Sequence, residues 1–213
     1  MAALGIERGS RVCWQLPARI STVLVMFALR RLGALQAPIT PICGKREVST
    51  AVTAVDAEFV LVPGIWNNID YVALAGDLDL GDQAAPTVVE IGPTAPEADP
   101  DPALRAPQNA EEVTWVYFNS GCTGFPKGAR HTDVPLLTTD RAFAGNGRVG
   151  ENGDDVVATA FPVAHVGAIE FLLTAVCSRP IGTEPAFVQG RRRPVSTGAV
   201  PPDPQRHGCD SRS

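Results

Sequence analysis

With 213 residues, 45% of them hydrophobic, the chain carries enough apolar material for one moderate domain or two small ones, and disorder throughout is excluded. A net charge of -5 argues against nucleic acid or an anionic membrane as partner, because either calls for a concentrated basic face. No run of about 18 apolar residues occurs, and the N-terminus lacks the basic, apolar and small-residue order of a signal peptide; no transmembrane segment and a cytoplasmic location are expected.

RVCWQL, Arg11 to Leu16, is a short apolar run suited to a buried strand, and Pro17 closes it. Ile20, Val23, Leu24 and Phe27 recur at i, i+3, i+4 and i+7, which predicts a helix with one apolar face that stops at Gly33. ALQAPI reads as the next strand, KREVSTAVTAVD as a second helix and EFVLV as a third strand. Strand and helix alternate through this region, the order of an α/β fold with a parallel sheet. PTVVEI, Pro86 to Ile91, adds a strand, and Gly92 to Ala110 is a connector rich in Pro, Ala and Asp. Then comes VTWVYF, followed directly by NSGCTGFPKG, Asn119 to Gly128.

A turn accounts for one or two of the three glycines in that stretch but not for its lysine. Glycines let backbone N–H groups converge, hydroxyls add donors and lysine adds full charge, so the set suits a phosphate. The P-loop pattern G-x-x-x-x-G-K-S/T does not fit: counted from Gly121, the second glycine falls on Pro126, and Lys127 is followed by Gly128. The five cysteines, Cys13, Cys43, Cys122, Cys177 and Cys209, are odd in number and widely spaced, which points to free thiols. Asp77, Asp79, Asp82, Asp154 and Asp155 lie in polar turns without metal-ligand spacing and read as solvated.

F-N-S-G-C-T-G-F-P-K-G resembles the signature loop Y-T-S-G-T-T-G-x-P-K-G of the adenylate-forming superfamily, which holds the acyl-CoA synthetases, the luciferases and the peptide-synthetase adenylation domains. WQLP, RRLGALQAPITPI, KREV and FVLVPG resemble the opening of fatty-acid or alicyclic-acid CoA ligases, and FPVAHVGAI resembles the P-x-x-H-x-x-G segment. The resemblance implies an ATP phosphate site lined by Ser120, Gly121, Cys122, Thr123, Gly124 and Lys127. It also implies that His165 borders the acyl pocket near the substrate carboxylate. Asn119 and Cys122 stand where the family has a threonine and a hydroxyl residue, and a thiol is the poorer donor to phosphate. Read without its motif, His165 is a hydrogen-bonded core residue, and His131 is a loop or helix-cap residue after the glycine turn.

The implied reaction joins a small-molecule carboxylic acid to ATP with release of pyrophosphate, then transfers the acyl group to CoA; the implied cofactors are ATP, Mg²⁺ and CoA. The oligomeric state is not legible. The resemblance covers residues 1 to 177, a partial AMP-binding domain, and 178 to 213 reads as a disordered tail, whose Arg and Pro content is that of an out-of-frame stretch. Its six arginines against three acids give +3, which leaves -8 for the preceding part. The adenine segment, hinge and small catalytic-lysine domain of a complete ligase are absent from these 213 residues. The expectation is therefore a truncated ligase, inactive alone, or a nonenzymatic remnant that binds nucleotide or pairs with a ligase, or a remnant with no role.

Overall fold

The computed structural model describes residues 1–99, 103–105, 107–119, 126–149 and 157–177. Its centre is a six-stranded sheet in the order β6-β3-β1-β2-β7-β8. These strands are β1 (Arg11–Trp14), β2 (Leu35–Pro38), β3 (Phe59–Val62), β6 (Thr87–Glu90), β7 (Trp115–Asn119) and β8 (Lys127–His131). The first five run parallel, and β8 turns back antiparallel along β7. The α/β class and parallel sheet expected from the sequence are both present.

Alternation of side chains along each strand separates two apolar cores. Val12 and Trp14 of β1, Leu61 of β3 and Trp115 and Tyr117 of β7 face α1 (Ile20–Leu32), α4 (Asp133–Gly147) and α5 (Val166–Cys177). Cys13, Val60, Val62 and Val116 face α2 (Lys45–Val55) and α3 (Tyr71–Gly76). Both faces of β1 and β3 are therefore dry, and their text is continuously apolar, as parallel strands require. Inside the first core, Trp14 Nε1 donates to Gln36 Oε1 at 3.2 Å and Gln36 Nε2 donates to the Met26 carbonyl at 3.0 Å, tying two strands to α1. The buried glutamine is tolerated because its amide is used on both sides.

Helix α1 ends as its sequence predicts, with Gly33 at φ 79° and its N–H returning to the last turn. Its buried side differs from the one that the i, i+3, i+4, i+7 spacing marks. Ser21, Thr22, Val25, Met26 and Leu29 are buried, whereas Ile20 and Leu24 are 50% and 53% exposed. The text ISTVLVMFAL is apolar almost all round, so periodicity cannot choose a side; Thr22 Oγ1, which donates to the Pro17 carbonyl at 2.6 Å, fixes the rotation of the first turn.

Between β3 and β6 the chain forms elements with no sequence forecast: a hairpin of β4 (Ile65–Trp66) and β5 (Ile69–Asp70), then α3. Asn67 and Asn68 both adopt positive φ, the conformation of a tight hairpin turn, and Asp70 caps α3 by accepting from Ala73 N–H at 2.9 Å. Asp77 is not merely solvated, since it closes α3 and pairs with Lys45 at 2.8 Å, both side chains being largely exposed. Asp154 and Asp155 lie outside the described residues. The described parts of the Gly92 to Ala110 connector contain neither helix nor strand. Cys13, Cys43 and Cys177 are free thiols, while Cys122 and Cys209 lie outside the described residues. No helix among the described residues is long and apolar enough to cross a membrane.

Candidate nucleotide and acid site

Strand β7 is extended because Trp115, Val116 and Tyr117 bury alternate faces against the two cores. It runs parallel to β2, so its end at Asn119 points to the carboxyl edge of the sheet, where open α/β folds bind their ligands. Asn119 pairs with Lys127, the first residue of β8, so β7 and β8 form an antiparallel pair whose joined ends lie at that edge. Ser120, Gly121, Cys122, Thr123 and Gly124 lie outside the described residues. Lys127 is described, and its side chain is exposed.

Opposed residues of an antiparallel pair share a face. Lys127, Ala129 and His131 therefore stand with Asn119, Tyr117 and Trp115, on the side of the sheet that carries α4 and α5. Gly128 and Arg130 stand on the α2 side, where they line a groove of ≈ 320 Å³ with Val55, Val116 and Phe118. That groove contains none of the sequence-predicted site residues. A Cβ on Gly128 would lie 2.8 Å from Val116 Cγ1 and 3.1 Å from Phe118 Cε1, so this glycine gives room to the ring across the ladder.

His131 is neither a loop nor a cap residue. It ends β8 opposite Trp115, its ring edge-on to Tyr117 with centroids 5.8 Å apart. Tyr117 is buried, and its phenol is pushed above its ordinary value by desolvation, then by the Glu170 carboxylate of α5. Behind the site, Asp133 at the start of α4 accepts from Arg30 Nε at 2.8 and 2.9 Å and from Trp115 Nε1 at 3.1 Å. With Arg30 and Asp133 only 14% and 22% exposed, this cluster joins α1, β7 and α4 and holds the base of the hairpin. Nothing in the text flagged it, because the two charged residues lie 103 positions apart.

His165 is exposed rather than a core residue. It stands immediately before α5, and its Nδ1 accepts from Gly167 N–H at 3.0 Å, closing the first turn of the helix. A neutral imidazole in that bond carries its proton on Nε2. The ring stacks on Phe161 with centroids 5.4 Å apart and planes 13° from parallel. Phe161 in turn lies 6.1 Å from Phe171, which meets Phe143 of α4 edge-on at 4.9 Å. The fold thus brings Lys127, the ends of the glycine loop and the face that carries α5 to one side of the sheet. The aromatic partners of His165 were not anticipated, although FPVAH and EFLL carry them in plain view.

The family model described as AMP-binding enzyme matches residues 1–194. A 2-hydroxy-7-methoxy-5-methyl-1-naphthoate–CoA ligase of Streptomyces carzinostaticus is 30% identical over 233 residues, covering 94% of this chain and 41% of the relative. A medium-chain fatty-acid–CoA ligase of Escherichia coli K12 is 26% identical over 176 residues, 78% of this chain and 31% of the relative. The chain therefore spans well under half the length of these relatives. In fold it is similar to the o-succinylbenzoate CoA synthetase of Bacillus subtilis solved with its acyl-adenylate intermediate, at a TM-score of 0.67 and 17% identity, covering 83% of this chain and 43% of that one. With the family match extending over most of its length, the chain belongs to the AMP-binding enzyme family, the adenylate-forming acyl-CoA ligases.

Proposed function

We propose that this chain supplies the phosphate-binding part of an AMP-forming acid–CoA ligase, with residues 1 to 177 as a partial adenylation domain. The observation that carries the reading is the pairing of Asn119 with Lys127 at the carboxyl edge of the parallel sheet, on either side of a stretch whose sequence holds two glycines, a serine and a threonine. Lys127 has no ion-pair partner among the described residues, and its exposed ammonium fits an incoming phosphate. Ser120, Gly121, Cys122, Thr123 and Gly124 would complete the cradle. Mg²⁺ is held through one or two carboxylates and substrate phosphates, so it would arrive with ATP. His165, with its Nε2–H directed away from its own helix cap, would meet the substrate carboxylate. When bound, ATP supplies the α-phosphate on which the acid is activated, and CoA supplies the thiol.

The chain's share of its relatives' length favours nucleotide binding without turnover for a polypeptide of these 213 residues. Catalysis of this kind rests on positioning and charge stabilisation around the α-phosphate, to which the rest of the family domain contributes. The purified protein should show a rise in thermal midpoint with MgATP, and Lys127→Ala should weaken that binding about tenfold, the worth of one charge-assisted contact. It should form no acyl-CoA from ATP, CoA and a panel of acids. Acid-dependent AMP release would contradict the second expectation, and an unchanged midpoint with MgATP would sink the reading altogether. The resemblance implies a fatty or alicyclic acid, whereas the relatives' names include both a naphthoate and a medium-chain fatty acid.

A further inference from the structure

Side chains of a strand alternate between the two faces of its sheet, so a shift of the pairing by one residue sends all of them to the opposite face. Lys127 stands on the side of α4 and α5 because it lies opposite Asn119; with Gly128 opposite Asn119, it would stand on the side of α2. Apolar patterning does not choose between the two. β8 reads KGARH, four of its five residues are exposed, and only Ala129 among them is aliphatic. Seven residues of sequence separate β7 from β8, so no two-residue turn dictates the pairing either.

Contacts at the two ends of β8 do choose. Next to Asn119, Gly128 lies against Phe118, where a Cβ would meet the ring at 3.1 Å. At the other end, where β8 runs into α4, Asp133 is bound to two separate elements: its carboxylate accepts from Arg30 Nε at 2.8 and 2.9 Å, from Arg30 Nη2 and from Trp115 Nε1 at 3.1 Å. A carboxylate in a first turn commonly serves its own helix. This one is turned to α1 and β7, while Thr132 before it makes no side-chain cap bond. Trp115 lies directly opposite His131, the last residue of β8, so a slip of one residue would carry Asp133 about 3.4 Å along the strand and break both attachments. We infer that Asp133, held by Arg30 and Trp115, is the positioning residue that sets the register of β8 and thereby keeps Lys127 on the face where phosphate is proposed to bind. The inference rests on the ligase reading for the role of Lys127, whereas the lock itself lies outside the glycine loop and joins it to α1.

The test reads register and nucleotide separately in the 213-residue protein: cross-strand nuclear Overhauser contacts of Asn119 without ligand, and the dissociation constant for MgATP. Asp133→Ala should move the contacts of Asn119 from Lys127 to Gly128. It should also weaken MgATP about tenfold, the loss expected when about one molecule in ten keeps the register. If Asp133 acts through Lys127, the double variant Asp133→Ala with Lys127→Ala should bind no more weakly than Lys127→Ala alone. Trp115→Phe removes a single bond and keeps a ring in the first core; it should shift the same contacts to a smaller degree, and it carries the reading where Asp133→Ala does not fold. Val52→Ala, fully buried in the second core, is the control for lost stability and should leave both readings as in wild type. Contacts unmoved by Asp133→Ala and Trp115→Phe, additive losses in the double variant, or an equal loss of MgATP binding in Val52→Ala would each overturn the inference. Moved contacts beside a wild type indifferent to MgATP would condemn the ligase reading and leave the register lock standing.

Discussion

Cys13 sits in the middle of β1 with no exposed surface, and burial pushes its thiol above the ordinary 9.0. Tyr117 is shifted upward in the same direction from 10.0, by burial first and by Glu170 second. In both cases the folded chain keeps a proton that the unfolded chain gives up, so the unfolded state binds fewer protons and stability falls as pH rises. The contribution is complete below the unfolded value and is lost above it. Urea midpoints should therefore hold level to about pH 9 and then fall, with a limiting slope of about 1.4 kcal/mol per pH unit for each group. Cys13→Ala should shrink the limb that starts near 9, leaving the part due to Cys177, whose thiol burial also raises, and should leave the limb that starts near 10, to which the raised phenols of Tyr117 and Tyr71 both contribute. A level profile to about pH 10.5 would show that neither group is protected. At this scale the sequence located His165 and Lys127 through their motifs, yet it could not say that one caps a helix and the other begins a strand, since both facts depend on hydrogen bonds formed in space.

Strand β8 is the element that the text conceals best. KGARH has no apolar alternation, and four of its five residues are exposed. It is extended because β7 pairs with it along its whole length, and because Gly128 leaves space beneath Phe118. Gly128→Ala places a methyl group within 3.1 Å of both Val116 and Phe118, so it should cost about 1–2 kcal/mol of stability in urea denaturation, the range for overpacking. A change within about 0.5 kcal/mol would mean that Phe118 swings aside freely. The hairpin of β4 and β5 escaped notice for a related reason. Its strands are two residues each, too short to show a period, and only the Asn67–Asn68 pair hints at the turn.

Across the whole molecule, order should follow the double-faced packing of the sheet. β1 and β3 lie between the two cores, β8 has β7 on one side only, and the sheet order places β6 and β8 at the edges. Amide exchange should accordingly be slowest over Val12 to Trp14 and Val60 to Leu61 and fastest among the strands over Lys127 to His131. Protection of β8 equal to that of β1 would mean that something further covers its outer edge. Strand β8, an edge strand among the described residues, also carries Lys127 and Arg130, charges of the kind that keep an open edge from pairing with another chain.

The sequence by itself determined the α/β class, the parallel strands and the family, because each is written in contiguous text: short apolar runs, a glycine stop at residue 33, and the F-N-S-G-C-T-G-F-P-K-G loop. Only the tertiary structure decided which side of α1 is buried, that the strands flanking the glycine loop pair antiparallel, and that His165 opens a ladder of aromatic rings. Each of these depends on residues far apart in the chain or on choices among nearly equal apolar faces. Periodicity reports where apolar groups recur, but the direction in which they point is settled by the neighbours that pack against them.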